Sequence, residues 1–477
     1  MSKRLSRRSY LAILVVILCI PFGWAPVPVA ASPPSADSKE SGTDLWSEDN
    51  AAAQADEDTE KESHFDVTGM IRDKFGYDLK EDNDVEDDLS NHGEFQIGVK
   101  YVPHDRFHML LSLDVDYLQY KNDSDWDYDD TVRLHNAYLN WSSAAFNLKL
   151  GNQIVRWGKT DGYSPLDNLN PEDYRDGVAG RREDRKLPIP MVNLELYRGK
   201  FSIQGVYIPV FVEPELDIVG TDWAFFQHGD AEVGALRIYE EDPSNTLNNG
   251  EGGIRLAGIV RRLNYAFSWF NTREDLPSPD SLLLPPGFSM PAGGLRMTDL
   301  LVFSQLSGQT IRLKHDRQNI YGLEFESTLG DFGVRGDVAY LDHSSYLTRG
   351  LQRTRKPAGQ CMVGVDYNGP DAWYANIQYL QSYIFNYDES IIWAEEFVSA
   401  INGTLYKEFF NGNLKPECRF FYDFSGNAAM LNPKLIFKFW EPLIIEAGAE
   451  LFDGSEETPL GIFGENDLVY TQIQVDF

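Results

Sequence analysis

Beyond residue 64 the chain alternates apolar and polar residues over runs of about ten, and each run ends in a turn. Phe107, Met109, Leu111, Leu113, Val115 and Tyr117 alternate with His108, Ser112, Asp114 and Asp116. Trp373, Ala375, Ile377 and Tyr379 interleave with Asn376 and Gln378, and Ile445, Ala447, Ala449 and Leu451 with Glu446 and Glu450. A period of two predicts strands with one dry and one wet face, because successive side chains point to opposite sides of a sheet. A soluble sandwich with its apolar face inward has the same period.

Three signals favour a membrane barrel. Aromatic residues gather near strand ends, as at Tyr265, Phe267 and Trp269 or Tyr321 and Phe325, as in interfacial girdles. Connections alternate in length. Short ones are expected near residues 103–105, 142–143, 198–200, 262–263, 330–331, 368–370, 411–413 and 441–442, and long ones through 80–91, 122–130, 159–187, 212–251, 273–316, 345–357 and 387–397, with returns near 425–427 and 454–465. The final run places Val469, Thr471, Ile473, Val475 and Phe477 toward lipid, and Tyr470, Gln472, Gln474 and Asp476 toward a lumen. Tyr470, Ile473, Val475 and the last aromatic, Phe477, look like the C-terminal insertion signal of Gram-negative outer-membrane proteins.

The prediction is therefore an all-β fold: a transmembrane antiparallel β-barrel of about 18 strands over residues 65–477, with both ends on the periplasmic side. At that size side chains alone do not fill the lumen. Ring closure also lets a modestly apolar chain live in lipid, since every backbone polar group finds a partner.

The N-terminus sets the compartment. Lys3, Arg4, Arg7 and Arg8 precede the apolar run Leu11–Ile20, and Val29-Ala30-Ala31 supplies small residues before Ser32. This is the plan of a signal peptide over residues 1–31, too short for a membrane span. Ser6-Arg7-Arg8 also resembles a twin-arginine signal, but the strongly apolar run and the barrel favour export unfolded. Residues 32–64, rich in Ser, Ala, Asp and Glu, are expected to form a disordered acidic periplasmic leader. Of 3 cysteines, Cys19 leaves with the signal; Cys361 and Cys418 remain, as separate thiols or as a bridge.

A net charge of −32, from 42 basic and 74 acidic residues, excludes nucleic acid as partner, since that recognition neutralises phosphates with Lys and Arg. No G-x-S-x-G, H-E-x-x-H, P-loop or C-x-x-C-H occurs, and the 8 histidines are scattered, so neither catalysis nor a bound cofactor or metal is expected. Asp123, Asp125, Asp127 and Asp129 have EF-hand-like spacing, but Tyr128 and Leu134 stand where Gly and a bidentate Glu are required. Together with Glu81–Asp88 they form an acidic surface, which either bridges to lipopolysaccharide through divalent cations or is simply solvated.

The most distinctive stretch is Gly151-Asn152-Gln153-Ile154-Val155-Arg156-Trp157-Gly158, followed by Asn170-Pro171-Glu172-Asp173. This block resembles a family of proteobacterial outer-membrane barrels of unknown function, similar to porins and alginate-export-like channels. The resemblance implies a channel or transport barrel without naming a solute.

Directly after it come Arg175, Arg181, Arg182, Arg185 and Lys186, in a long external loop of an acidic protein. Loop cations opposed to wall carboxylates can narrow a pore and set its selectivity. On that reading these five residues face Asp114, Asp116 or Glu446. On the other, they pair with the loop's own Glu172, Asp173, Glu183 and Asp184, or with lipopolysaccharide phosphates. Arg156 falls on the apolar side of strict alternation, so either an irregularity near Gly158 turns it inward or it meets lipid headgroups at the rim.

The expected function is an outer-membrane, porin-like channel for small polar or amphipathic solutes. The alternative is a structural sheath around a partner, such as a multihaem cytochrome, with the leader as tether. A surface adhesin or platform built on loops 212–251 and 273–316 is a third reading; their clusters Trp223–Phe226 and Leu282–Leu284 are expected in short helices or plugs. Expected partners are outer-membrane lipid and lipopolysaccharide, the outer-membrane assembly machinery, and a periplasmic or lumenal protein.

Overall fold

The computed structural model describes residues 64–80, 87–122, 125–216, 223–224, 238–241, 243–244, 246–283, 308, 310–455, 458 and 460–477. Here the alternating runs become the strands of one antiparallel sheet. In chain order these are β1 (His64–Asp78), β2 (Asp87–His104), β3 (Phe107–Asn122), β4 (Asp125–Ser142), β5 (Phe146–Gln153), β6 (Ile189–Arg198), β7 (Phe201–Ile208), β8 (Glu251–Val260) and β9 (Leu263–Arg273). They continue as β10 (Arg317–Leu329), β11 (Phe332–Thr348), β12 (Arg353–Gly369), β13 (Trp373–Ile384), β14 (Phe397–Lys407), β15 (Leu414–Asp423), β16 (Ala428–Trp440), β17 (Leu443–Asp453) and β18 (Leu468–Asp476).

Each strand pairs with its neighbours in sequence. β1 pairs with β18 from Met70↔Asp476 to Asp78↔Leu468, closing the ring at eighteen strands. Gly69 and Phe477 complete the seam, each N–H donating to the other's carbonyl, at 2.6 and 2.9 Å. No open sheet edge remains in the ring.

The alternation sorts side chains as expected. Ile377 is 54% exposed on the outside, and its neighbour Gln378 is 1% exposed on the inside. Phe65, Leu111, Phe267, Tyr321, Ile473 and Phe477 all stand outward and exposed, whereas Tyr470 is buried inward. A closed ring with apolar residues outside and Gln, Asn, Asp and Glu inside is the inverse of a soluble core, and it matches a lipid surround.

The eight short turns all fall at the expected places, on the side where β1 begins and β18 ends. On the other side, two expected loops are corrected. The connections 122–130 and 345–357 shrink to tight returns, because β3 pairs with β4 out to Asn122↔Asp125 and β11 with β12 out to Leu347↔Arg353. The strands also lengthen at 80–91, where β2 already begins at Asp87. The ladder continues past the expected turn positions, with Leu118 and Tyr120 on β3 and Leu347 on β11 packed inward against the loops.

In the two longest loops, the clusters Trp223–Phe226 and Leu282–Leu284, expected as short helices or plugs, fall within the described residues only at Trp223, Ala224, Leu282 and Leu283. Among the described residues these loops hold a small sheet of Ile238–Glu241, Ser278–Pro279 and Ile311–Lys314, with only a 3-10 turn at Leu247–Asn249. Trp223 packs between Phe452 and Phe463 at 5.7 and 5.6 Å between ring centroids, and Leu282 packs with Ile311, Leu347 and Leu351. Cys361 and Cys418 are separate thiols on β12 and β15. His64, expected as the leader's last residue, instead opens β1; the signal, the leader up to residue 63, Glu81–Glu86, Asp123, Phe225, Phe226 and Leu284 lie outside the described residues.

Candidate functional site

β5 stops at Gln153, and the chain does not return to the wall until β6 at Ile189. Between them, residues 154–188 fold into the barrel. The start of this excursion is written into backbone geometry. Gly151 sits at φ +130°, and a Cβ there would lie 2.2 Å from the Ala137 carbonyl oxygen on β4. Only glycine fits that approach. Gly158, at φ +96°, turns the chain again, and its N–H donates to the Glu324 carboxylate on β10 at 2.8 Å.

The motif residues make the loop's foundation. Asn170, fully buried, accepts from the Val155 N–H at 2.9 Å and donates to the Gln153 and Leu187 carbonyls at 3.0 and 2.8 Å. One side chain thus ties the two stems together. The Leu187 N–H donates to the Pro171 carbonyl at 2.9 Å. Gln153 donates to the Met191 carbonyl at 3.1 Å, and the Trp157 indole N–H to Gln204 on β7 at 2.9 Å. The Trp157 ring meets Phe270 edge-on at 5.8 Å.

From these stems the loop is bonded to two walls. On one, the Asp337 carboxylate of β11 accepts from the N–H groups of Lys159 and Thr160 at 2.9 Å each and from the Ser164 hydroxyl at 2.8 Å. Gln378 on β13 exchanges hydrogen bonds with the Asp161 backbone, Arg335 on β11 donates to the Asp161 carboxylate at 3.1 Å, and Tyr163 donates to Gln360 on β12 at 3.0 Å. On the other wall, Asp176 pairs with Lys74 of β1 at 3.1 Å and with His92 of β2 at 3.2 Å. β2 and β11 stand nine places apart in a ring of eighteen, so the loop spans the lumen between opposite walls.

The predicted cations divide into two groups. Arg182, Arg185 and Lys186 do not face wall carboxylates; they converge on the loop's own acids. Arg182 ion-pairs with Glu172, Arg185 reaches Glu172 at 3.2 Å, and Lys186 lies 3.4 Å from Glu172 and 3.6 Å from Asp167. Buried charges demand partners, and the loop supplies them from Glu172 and Asp167 on its own earlier stretch. Burial disfavours ionising Glu172, but Arg182, Lys186 and Arg185 outweigh it and bring its carboxyl down to about 2. Asp275, beyond β9, goes the other way: burial, reinforced by Glu251 and Glu172, pushes it up to about 7 against the pull of Lys186 and Arg182.

The second group bridges loop and wall. Arg175 pairs with Asp173 at 2.6 Å, Asp129 of β4 at 2.7 Å and Glu215 at 2.7 Å, and comes within 3.9 Å of Asp116. Asp114 and Asp116 are held chiefly by Arg133 of β4, which also reaches Glu215 at 2.9 Å. Arg181 lies in the field of Asp184, Glu417 and Glu446, while Glu446 itself pairs with Lys434 at 3.1 Å. Arg156 turns inward, to Asp167 at 3.4 Å and Glu183 at 2.8 Å, because β5 has already ended and strict alternation no longer applies to it.

Sequence reasoning missed Asp337, Glu324, Gln378, Asp161, Asp176, Lys74 and Arg133. Those on strands carry only the signal of an inward polar position. Gly322 adds a second signal, since its missing side chain leaves room for Leu166, whose Cδ2 would lie 2.6 Å from a Cβ there.

Among solved structures, the DcaP outer membrane channel of Acinetobacter baumannii is similar at 10% identity over 87% of this chain and 97% of that one, with a TM-score of 0.42. OccAB1 of the same organism is similar at 9% identity over 86% and 96%, with a TM-score of 0.49. OmpF of Salmonella typhi, solved in complex with daunomycin, is similar at 10% identity over 87% and 98%, with a TM-score of 0.41. No curated protein matches. A family model described as "Protein of unknown function (DUF1302)" matches residues 44–456, from ahead of β1 into the loop after β17, and the chain belongs to that family.

Proposed function

We propose that this protein is an outer-membrane channel for passive passage of small polar or amphipathic solutes, narrowed by the loop 154–188. One observation carries the proposal: a ring of eighteen strands, apolar outside and polar inside, has one loop bonded across its interior to Asp337 on one wall and to Lys74 and His92 on the other. A barrel this wide encloses more space than wall side chains fill, and a cross-lumen loop carrying the half-buried Arg181 is suited to selecting by size and charge. The proposal includes export under the 1–31 signal, the 32–64 leader in the periplasm, and the long connections outside the cell. A sheath around a lumenal partner is disfavoured, because the loop occupies the space such a partner needs.

Planar-bilayer conductance of the refolded barrel, with reversal potential in a salt gradient, tests the proposal. Steady conductance with defined ion selectivity supports it. A folded, heat-modifiable barrel that passes no current overturns it.

A further inference from the structure

The outer mouth holds a second cluster that the channel reading does not use. His315 lies just ahead of β10, its side chain wholly buried. Its Nδ1 is 2.8 Å from the Glu274 carbonyl oxygen and its Nε2 is 2.8 Å from a Glu240 carboxylate oxygen. Both ring nitrogens therefore face acceptors, whereas a neutral imidazole has a single N–H. If Nδ1–H donates to the carbonyl, the Nε2 lone pair points at a carboxylate. Glu213 brings a third group, so that one His315 nitrogen and one oxygen each from Glu213 and Glu240 lie within 4.8 Å of one another. The Phe211 ring, 4.8 Å from the imidazole, covers the site.

We propose that Glu213, Glu240 and His315 form a site for a first-row divalent transition cation, of which Zn²⁺ is the representative. The cation sits between Nε2 and the carboxylates, where a second ring proton would otherwise stand. An imidazole whose far nitrogen is fixed by a backbone carbonyl is the usual orientation of a metal-bound histidine. One imidazole and two carboxylates make a three-ligand set that leaves a position open for water. Ligand atoms on a tetrahedron with bonds of ~2.1 Å stand about 3.4 Å apart, so the widest separation has at most about 1.4 Å to close, while Nε2 and the Glu240 oxygen move slightly apart.

A comparison within the molecule sharpens the choice. His92, Glu94 and Asp116 are also close enough to share an ion, but Arg72 is already bonded to Glu94 and Arg133 to Asp116. There a metal must displace guanidinium groups. Glu213 and Glu240 line a cavity of about 330 Å³ together with Asp129, Arg175, Glu215 and Pro277. Two residues beyond Glu213, Glu215 is strapped to the lumen loop: its N–H donates to the Glu172 carbonyl at 3.0 Å and its carbonyl accepts from the Tyr174 N–H at 2.7 Å. Metal occupancy at the mouth is thereby joined by a short segment to Arg175.

The test is Zn²⁺ binding to the untagged, refolded full barrel, by equilibrium dialysis with metal analysis, independent of any channel activity. The expected result is one Zn²⁺ per chain, with affinity reduced at least about tenfold by His315→Gln and by Glu240→Gln. Glu94→Gln should leave it unchanged. Glu240→Gln keeps the side chain's size and serves if His315→Gln fails to fold, which heat-modifiable gel mobility reports. Absence of stoichiometric Zn²⁺ on the folded wild type overturns the proposal, as does binding that survives Glu240→Gln and is lost in Glu94→Gln.

Discussion

Ser164 donates a 2.8 Å hydrogen bond to Asp337, a residue 173 positions later on β11, and that carboxylate also gathers the backbone of Lys159 and Thr160. A hydrogen bond to a charged group contributes about 1.5–3 kcal/mol. Asp337→Ala should therefore free the first half of the loop while leaving the wall strands paired. Limited proteolysis in detergent should cut within 154–188, and single-channel conductance should rise. Protease resistance equal to wild type would show that the loop is held elsewhere.

Arg181 and Arg182 are adjacent but belong to different environments. Arg182 is buried against Glu172 and the Ser164 and Asp167 carbonyls, whereas Arg181 is only half-buried and faces Glu417 and Glu446. Arg181→Gln should shift the reversal potential toward cations without a change in thermal stability. Arg182→Gln should instead lower stability by about 1–3 kcal/mol, because buried partners lose their donor. Equal selectivity shifts in the two variants would contradict this division.

Acidity should act on the loop in two directions. Glu172 has its folded value lowered, so the stability it contributes is present above its ordinary value of 4.5 and lost as pH falls toward about 2. Asp275 has its folded value raised, so its contribution is present below its ordinary value of 3.8 and lost as pH rises through about 7. Melting curves of wild type and Asp275→Asn from pH 4 to pH 8 should diverge, with the variant losing less stability on the alkaline side. Parallel curves would remove Asp275 from the account.

Gly322 gives the steric counterpart. A side chain there meets the Ser268 hydroxyl of β9 at 2.2 Å and Leu166 of the loop at 2.6 Å, and overpacking of this kind costs about 1–3 kcal/mol. Gly322→Val should raise protease cleavage of the loop as Asp337→Ala does, although it removes no hydrogen bond. If it does not, the wall at Gly322 yields more readily than its close packing suggests.

The barrel was legible because lipid imposes a period that a sequence displays directly: Ile377 beside Gln378 announces both faces. Legibility ended where lipid ends. Around Asn122–Asp125 and Leu347–Arg353 the strands extend by ladder pairing and by contacts to distant loops, such as Leu347 to Leu282 and Ile311, and neither leaves a period of two in the local sequence. The loop was half legible. Its cluster of cations and its Gly and Asn landmarks mark it as unusual, and the alternative pairing of Arg182, Arg185 and Lys186 with Glu172 is the one that forms. Its docking partners were hidden because Asp337, Glu324 and Gln378 look like any other inward polar residue, and nothing local says that a segment more than 150 residues earlier will reach them.

A hoop of strands is stiff along its length and soft across it, since small changes in tilt and register let a circle become an ellipse. The loop bonded at Asp337 and again at Lys74 and His92 ties the two sides of the hoop together like a spoke. Along that diameter neither spreading nor flattening is free, so the cross-section of this barrel should keep its shape when the surrounding bilayer is thinned, stretched or crowded.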